Sequence, residues 1–264
     1  MKPTFVTMMR VVLCALAVTL SAQAAHGAAW DIGGVYIDTY DAYLESQRLI
    51  DGTGSTGRRC RPPAHCSRPR PHPAPRAQAP AKRQPTVSYA PPGGASDPLY
   101  TGKDFATRQG IEKLVASYPP KDQPQRAAEY AKLIITFNDT MPRTYGIPKN
   151  NLATALTAFV AGSYAAYTNR PFPDAAVKPL YRQMERFLLD QPRLARASMN
   201  NKAAMYQIWV GSGMLMLMAQ ADLSRHPNSA QQAQLHKKGG EILRALLGVE
   251  PNQVRFTANG MEFL

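Results

Sequence analysis

Residues 151–168 read NLATALTAFVAGSYAAYT, and this stretch decides the fold class. Leu152, Leu156, Phe159, Val160 and Tyr167 fall along one stripe at helical spacing, and Ala158, Gly162 and Ala166 recur every four residues beside it. Large apolar residues at that period specify an amphipathic helix. A ridge of small residues lets a neighbouring backbone approach closely. The same ridge pairs membrane helices, but Thr154, Thr157 and Ser163 in so short a span place this one in a soluble core. Asn150 or Asn151 can cap its start. Thr168-Asn169-Arg170-Pro171 ends it.

Outward from this helix the same period continues. Residues 104–118 predict a helix with Phe105, Ile111, Leu114 and Val115 apolar, stopped by Tyr118-Pro119-Pro120. Residues 124–138 predict a second, with Ala127, Ala131, Ile134 and Phe137 on one face. A break from Asn138 to Pro148 follows, punctuated by Pro142 and Gly146. A fourth helix runs to about Asp190 through Val177, Leu180, Tyr181, Met184, Phe187 and Leu188. Its start is open: Asp174 can cap it, but Pro179 then lies slightly too deep.

The fifth helix, about 201–224, holds Ile208 to Ala219, apolar apart from Ser212 and two glycines. That run is short for a membrane span and suits a central buried helix. The sixth, about 229–247, ends at Gly248. Gly239-Gly240 inside it costs about 1 kcal/mol per glycine against alanine, which predicts close contact with another helix. The tail with Val254, Phe256, Met261 and Phe263 should lie extended against the body. A period of 3.6 throughout argues against a barrel, whose strands alternate in period two. The expectation is all-α: a compact bundle of five to six helices over 100–264, after a disordered Pro-rich linker.

The N-terminal third reads differently. Lys2 and Arg10, the apolar run Val11 to Leu20 and Ala22-Gln23-Ala24 predict a signal peptide over 1–24, cleaved after Ala24. The run is about half the ~20 residues a spanning helix needs, so no membrane anchor is expected after cleavage. Cys14 raises lipidation as an alternative, but it follows bulky Leu13 inside the apolar run. In segment 25–51, Asp31, Asp38, Asp41, Glu45 and Asp51 stand against Arg48 alone, and Tyr36, Tyr40, Tyr43 and Leu44 make a short amphipathic helix. The plain expectation is that it docks back onto the basic body.

Residues 52–99 hold 11 of the 23 prolines and almost no large apolar residue. Such a stretch cannot bury enough surface to offset ordering, so it should be a disordered spacer. Fully extended it reaches about 150 Å at ~3.1 Å per residue. Eight cations and no acid lie in 52–96, out of a net charge of +13 for the chain. The spacer could therefore grip an anionic surface polymer. Nucleic acid is disfavoured, because Tyr89 is nearly alone as a stacking residue. Cys60 and Cys66 could form a small-loop disulfide in an oxidising compartment.

No stretch carries a chemically specific motif. There is no G-x-S-x-G, P-loop or G-x-G-x-x-G, and Gly211-Ser212-Gly213 lies in a helical pattern rather than after a strand. Met214, Met216 and Met218 suggest a thioether copper site, but residues two apart on a helix diverge, which favours a core role. His226 and His236 have no evident third ligand for a metal. Asp139, with Tyr145 and Glu185 as the nearest companions, is the weak catalytic candidate. The plainer reading has Asn138, Asp139 and Thr140 satisfying backbone groups at a helix break. No cofactor is expected.

Several strings in order resemble an uncharacterised secreted bacterial family, a domain of unknown function. They are Thr136 to Thr140, Tyr145 to Pro148, Thr157 to Tyr164, Arg170 to Asp174 and Leu180 to Met184. The resemblance covers about 100–264. It implies an exported helical domain and brings no activity or site residue with it. The sequence therefore leads to a periplasmic or secreted helical protein that binds a protein or envelope partner. Two alternatives stand beside it: a hydrolase-like envelope enzyme using a carboxylate in a helical cleft, and attachment to anionic polymers through the linker.

Overall fold

The computed structural model describes residues 97–103 and 107–264. The expected signal peptide over 1–24, the segment 25–51, the expected linker apart from its last residues 97–99, Cys60, Cys66 and Phe105 lie outside the described residues. The described chain is mainly helical. Its elements are α1 (Gln109–Val115), α2 (Gln123–Tyr145), α3 (Leu152–Thr168), α4 (Asp174–Leu189), α5 (Pro192–Arg196), α6 (Met199–Arg225), α7 (Ser229–Leu247), β1 (Val254–Thr257) and β2 (Gly260–Phe263).

Helix α3 is the hub, packed on α6, α7 and α4. The Asn151 side chain caps it, accepting from the Ala153 N–H at 2.8 Å and the Thr154 N–H at 3.3 Å. The small-residue ridge does what its spacing predicts. A Cβ at Gly162 would stand 2.2 Å from the Gly213 carbonyl oxygen of α6, and one at Gly213 would stand 2.4 Å from the Ala158 carbonyl oxygen. Two backbones meet there with no room for a methyl group between them. On α7, a Cβ at Gly239 would stand 2.5 Å from the Ser163 carbonyl oxygen. This contact explains why a helix tolerates two adjacent glycines.

Helix α6 is buried without interruption from Lys202 to Gln220. The methionine sulfurs diverge along it. Met214 lines a crevice with Phe137 and Met141, Met216 accepts a weak bond from the Ser163 hydroxyl, and Met218 faces Tyr130 and Leu133. Among the described residues no helix is long and apolar enough to cross a membrane.

The structure corrects several expectations. Helix α2 does not stop at Asn138 but runs through Pro142 to Tyr145, where Gly146 at φ 64° closes it. Pro142 removes one backbone donor. The turn survives because Met141 is buried in the core and the Gly146 N–H returns to the Pro142 carbonyl at 3.1 Å. Helix α4 begins after Pro173 and carries Pro179 inside it. Phe187 is not part of its core stripe but stands 47% exposed. The five-residue α5 carries no expectation from periodicity. The period of 3.6 also fails at the tail, which forms an antiparallel hairpin in the register Val254↔Phe263 to Thr257↔Gly260. Val254 and Phe256 are buried, and Phe256 meets Tyr164 and Phe172 edge-on at 4.5 and 5.0 Å.

Candidate functional site

Among the described residues, the densest set of buried polar side chains lies where residues 97–103 and 107–111 meet α2, α3 and α6. Gln207 works as a substitute cap for α1. Its Oε1 accepts from the Gly110 and Ile111 N–H groups at 3.0 and 3.2 Å, and its Nε2 donates to the Thr107 carbonyl at 2.6 Å. Helix α1 has no side-chain cap of its own, so the long-range glutamine satisfies donors that a local Ser or Asp would otherwise take. A Cβ at Gly110 would lie 2.4 Å from the Ala204 carbonyl oxygen, so α1 also touches the α6 backbone.

Next to Gln207 in the chain, Tyr206 donates to Asn138 Oδ1, and Asn138 Nδ2 donates to Asn150 Oδ1 at 2.8 Å. Asn150 holds φ 50°, a left-handed conformation that asparagine tolerates better than most residues. Its carbonyl accepts from the Thr101 N–H at 2.9 Å. Asn151 Nδ2 donates to Asp97 Oδ2 at 2.8 Å, and Lys202 Nζ donates to the Pro98 carbonyl at 2.9 Å. Burial pushes the Lys202 ammonium below its ordinary range, and the nearby Asp97 charge partly opposes the shift. The segment 97–101 is thereby pinned to the body, with Leu99 buried beneath it.

The chemistry of this cluster is that of a clamp. It holds amides, a phenol, one lysine and the Asp97 carboxylate, with their bonds directed to backbone groups or to one another. The groove beside it, lined by Thr101, Lys103, Asn138, Asn150, Tyr206 and Gln207, has room for about one water molecule. A second groove between Tyr118, Tyr130, Leu133, Leu215 and Met218 is apolar and bridged at its rim by Arg126 and Glu129, 2.9 Å apart. Burial raises the Tyr130 phenol well above its ordinary value, ahead of the effect of Tyr118.

The residues singled out from sequence fall elsewhere. Asp139 is exposed on α2. Tyr145 donates to Asp174 Oδ1 at 3.0 Å, and burial first, then the Asp174 charge and bond, raise its phenol. Glu185 accepts from Tyr181, one turn back on α4, at 2.5 Å. The described hydrogen bonds bring no two of Asp139, Tyr145 and Glu185 together. Asn138 does not serve a helix break: it is 1% exposed in mid-helix. Thr140 bonds back to the Thr136 carbonyl at 2.6 Å.

His226 is exposed beside Asp222 at 3.1 Å, and His236 stacks on Tyr167 with ring centroids 4.6 Å apart. Among the described residues no group of three or more His, Cys, Asp or Glu could hold a metal ion. Periodicity missed the Gln207, Tyr206 and Lys202 roles. The signal for them was a lysine and a glutamine inside a helix otherwise bound for the core, since buried polar groups need partners.

Known proteins add a family and no activity. No curated protein and no solved structure matches the chain. The model of a family described as "Family of unknown function (DUF6683)" matches residues 68–264, beginning within the expected linker and running through the whole helical body. The chain belongs to that family of unknown function, DUF6683.

Proposed function

We propose that this protein is a non-enzymatic binding module of the cell envelope, exported through its N-terminal signal, and that its partner is an anionic envelope component. One observation supports the binding part most: among the described residues, the buried polar groups of this cluster hold the fold together and do not converge on a substrate-sized space. Gln207, Asn138, Asn150, Asn151 and Lys202 each bond to backbone or to one another, and the groove beside them suits about one water. An active site in a fold of this size is ordinarily a larger concave pocket with convergent polar groups.

The anionic character of the partner follows from charge. The chain carries +13 overall, with eight cations and no acid in 52–96. A positive excess of that size attracts polyanions and speeds their encounter. Export rests on Lys2, Arg10, the apolar run and Ala22 to Ala24.

The test takes the mature chain, from residue 25, in a binding titration against envelope polyanions and protein-free envelope fractions across salt concentrations. Saturable binding that weakens with salt is the expected result. Turnover of an envelope polymer, abolished by Asp139→Asn or Glu185→Gln without loss of folding, would overturn the proposal in favour of an enzyme. N-terminal sequencing of the protein recovered outside the cytoplasm checks cleavage after Ala24.

A further inference from the structure

The hairpin of β1 and β2 turns through Thr257-Ala258-Asn259-Gly260, and Asn259 with Gly260 is the only Asn-Gly step in the sequence. Asn259 is exposed, whereas Asn138, Asn150 and Asn151 are buried and bonded inside the clamp. Asparagine is among the thermolabile residues. Its side-chain carbonyl carbon is one ring closure away from the next backbone nitrogen, and a glycine there puts no Cβ in the way. Gly260 is itself fixed by the fold: it holds φ 105°, and a Cβ on it would stand 2.5 Å from Gln183 Oε1.

The hairpin restrains that ring closure. Gly260 pairs with Thr257 across the ladder, and the Asn259 N–H donates to Thr257 Oγ1 at 3.1 Å. Beyond the turn, Gln183 of α4 stands in for a third strand. Its Oε1 accepts from the Met261 N–H at 2.7 Å, and its Nε2 donates to the Met261 carbonyl at 3.0 Å. A two-stranded ribbon alone is marginal in water, so contacts with the body decide how often it opens. Gln183 supplies one such contact, and Phe256 against Tyr164 and Phe172 supplies another. Attack by Gly260 requires its release from Thr257, and a local opening of this kind costs less than global unfolding.

We propose that Asn259 is a site of spontaneous covalent modification, cyclising onto Gly260 and opening to aspartate and isoaspartate, and that the Gln183 clamp sets its rate. The Gly260 backbone nitrogen forms a bond to Asn259 Cγ and gives its proton to solvent. The side-chain nitrogen takes a proton from water and leaves as ammonia, which completes a succinimide. Water then adds to one of the two ring carbonyls, and the bond from that carbon to the ring nitrogen breaks. Opening at the side-chain carbonyl gives aspartate, and opening at the backbone carbonyl gives isoaspartate. Water is the sole co-reactant, and nothing is oxidised or reduced.

Both products loosen the hairpin. Glu262 accepts from Thr257 Oγ1 at 2.7 Å and from Arg255 at 2.8 Å, and the Asn259 amide bonds to it as well. Those bonds, Thr257 first, hold the Glu262 carboxyl below its ordinary range. An aspartate at 259 sets a second carboxylate where an amide stood, and the contact turns repulsive. An isoaspartate adds a carbon to the backbone inside the turn, and the pairing of Thr257 with Gly260 is lost. Either change makes it easier for Phe256 to leave its ring cluster.

The experiment ages the folded chain, from residue 25, at neutral and mildly alkaline pH. Peptide mapping by mass and isoaspartyl methyltransferase labelling follow residue 259. The expected result is the mass gain of NH2 exchanged for OH at 259, with isoaspartate, slower in the folded chain than in urea. Asn259→Gln, whose ring closes far more slowly, should abolish the gain and keep the fold. Gln183→Ala should speed it about tenfold, through the lost clamp bonds, while circular dichroism still reports the helical body. Aged chain should melt about 2–4 °C lower, with faster hydrogen exchange at Met261.

No gain at 259 in the folded chain, over a time in which the chain in urea converts, overturns the site. An unchanged rate in Gln183→Ala overturns the clamp as the gate. A modified chain that melts and exchanges like the fresh one overturns the loosening of the hairpin.

Discussion

Helices α3 and α4 are neighbours of nearly equal length, 17 and 16 residues, and they use those residues in opposite ways. From Leu152 to Ser163 every residue of α3 is buried, because α6, α7 and α4 surround it and glycines let two of those backbones come close. Helix α4 buries Ala176, Val177, Leu180, Tyr181, Met184 and Leu188 on one side. It turns Lys178, Arg182 and Arg186 to water on the other. The difference separates two kinds of constraint. On α3 the limit is volume, and a single methylene matters. On α4's outer face the limit is charge, and stability is nearly indifferent to it.

That contrast can be broken most decisively at Gly162. Gly162→Ala drives a Cβ into the Gly213 carbonyl, and neither backbone can yield without moving a helix. A loss of about 3 kcal/mol in denaturant unfolding is expected, at the upper end for overpacking because both neighbours are backbone. A loss below about 0.5 kcal/mol would mean that α3 and α6 are not in backbone contact.

The next effect tests whether burial elsewhere on α6 also depends on shape alone. Gln207→Leu keeps the bulk but orphans the Gly110 and Ile111 N–H groups. It should cost about 2 kcal/mol. Hydrogen exchange at residues 109–115 should rise more than in α3, since the loss is local to α1.

Ser212 sharpens the comparison from the other side. Its hydroxyl is the buried side-chain polar atom without a hydrogen-bond partner among the described residues. Ser212→Ala should therefore raise the melting temperature, by up to about 1 kcal/mol of stability. A loss of similar size would show that the hydroxyl has a partner after all.

Lys202 gives a pH signature. Its folded ammonium titrates below its ordinary value, so the folded state binds fewer protons than the unfolded one in the alkaline range. The destabilisation is fully present below the folded pKa and is relieved as pH rises toward the unfolded value. Wild type should gain stability relative to Lys202→Met as pH rises from 8 into that range. Parallel curves would deny the shift. On the outer face of α4, Arg182→Ala should change stability by no more than about 0.5 kcal/mol.

Much of α3 and α7 was legible in sequence because its determinants are local. The Asn151 cap and the Gly248 end act within a turn of the residues that supply them, and the Ala158–Gly162–Ala166 ridge and Gly239-Gly240 show as spacing within one helix, although the backbones they meet, at Gly213 and Ser163, are distant in the chain. Where the determinant was distant, periodicity failed. Pro142 reads as a stop, yet burial of Met141 carries α2 past it. Asn138 reads as a cap, yet its partners are Asn150, 12 residues away, and Tyr206, 68 away. Phe187 reads as core, yet its place on the wheel lies at the edge of the stripe and α4 ends there before anything covers it.

Spacing, caps and composition by themselves determined that the body is a helical bundle with one helix buried all round and a strongly basic segment ahead of it. They could do so because helix formation and amphipathicity are set by residues three and four apart. Only the tertiary structure decided which polar side chains became clamps, where α2 ends and which apolar residues stayed in water. Those outcomes depend on which element lands against which, and hydrogen bonds such as Gln207 to Gly110, 97 residues apart, leave no local trace in the chain.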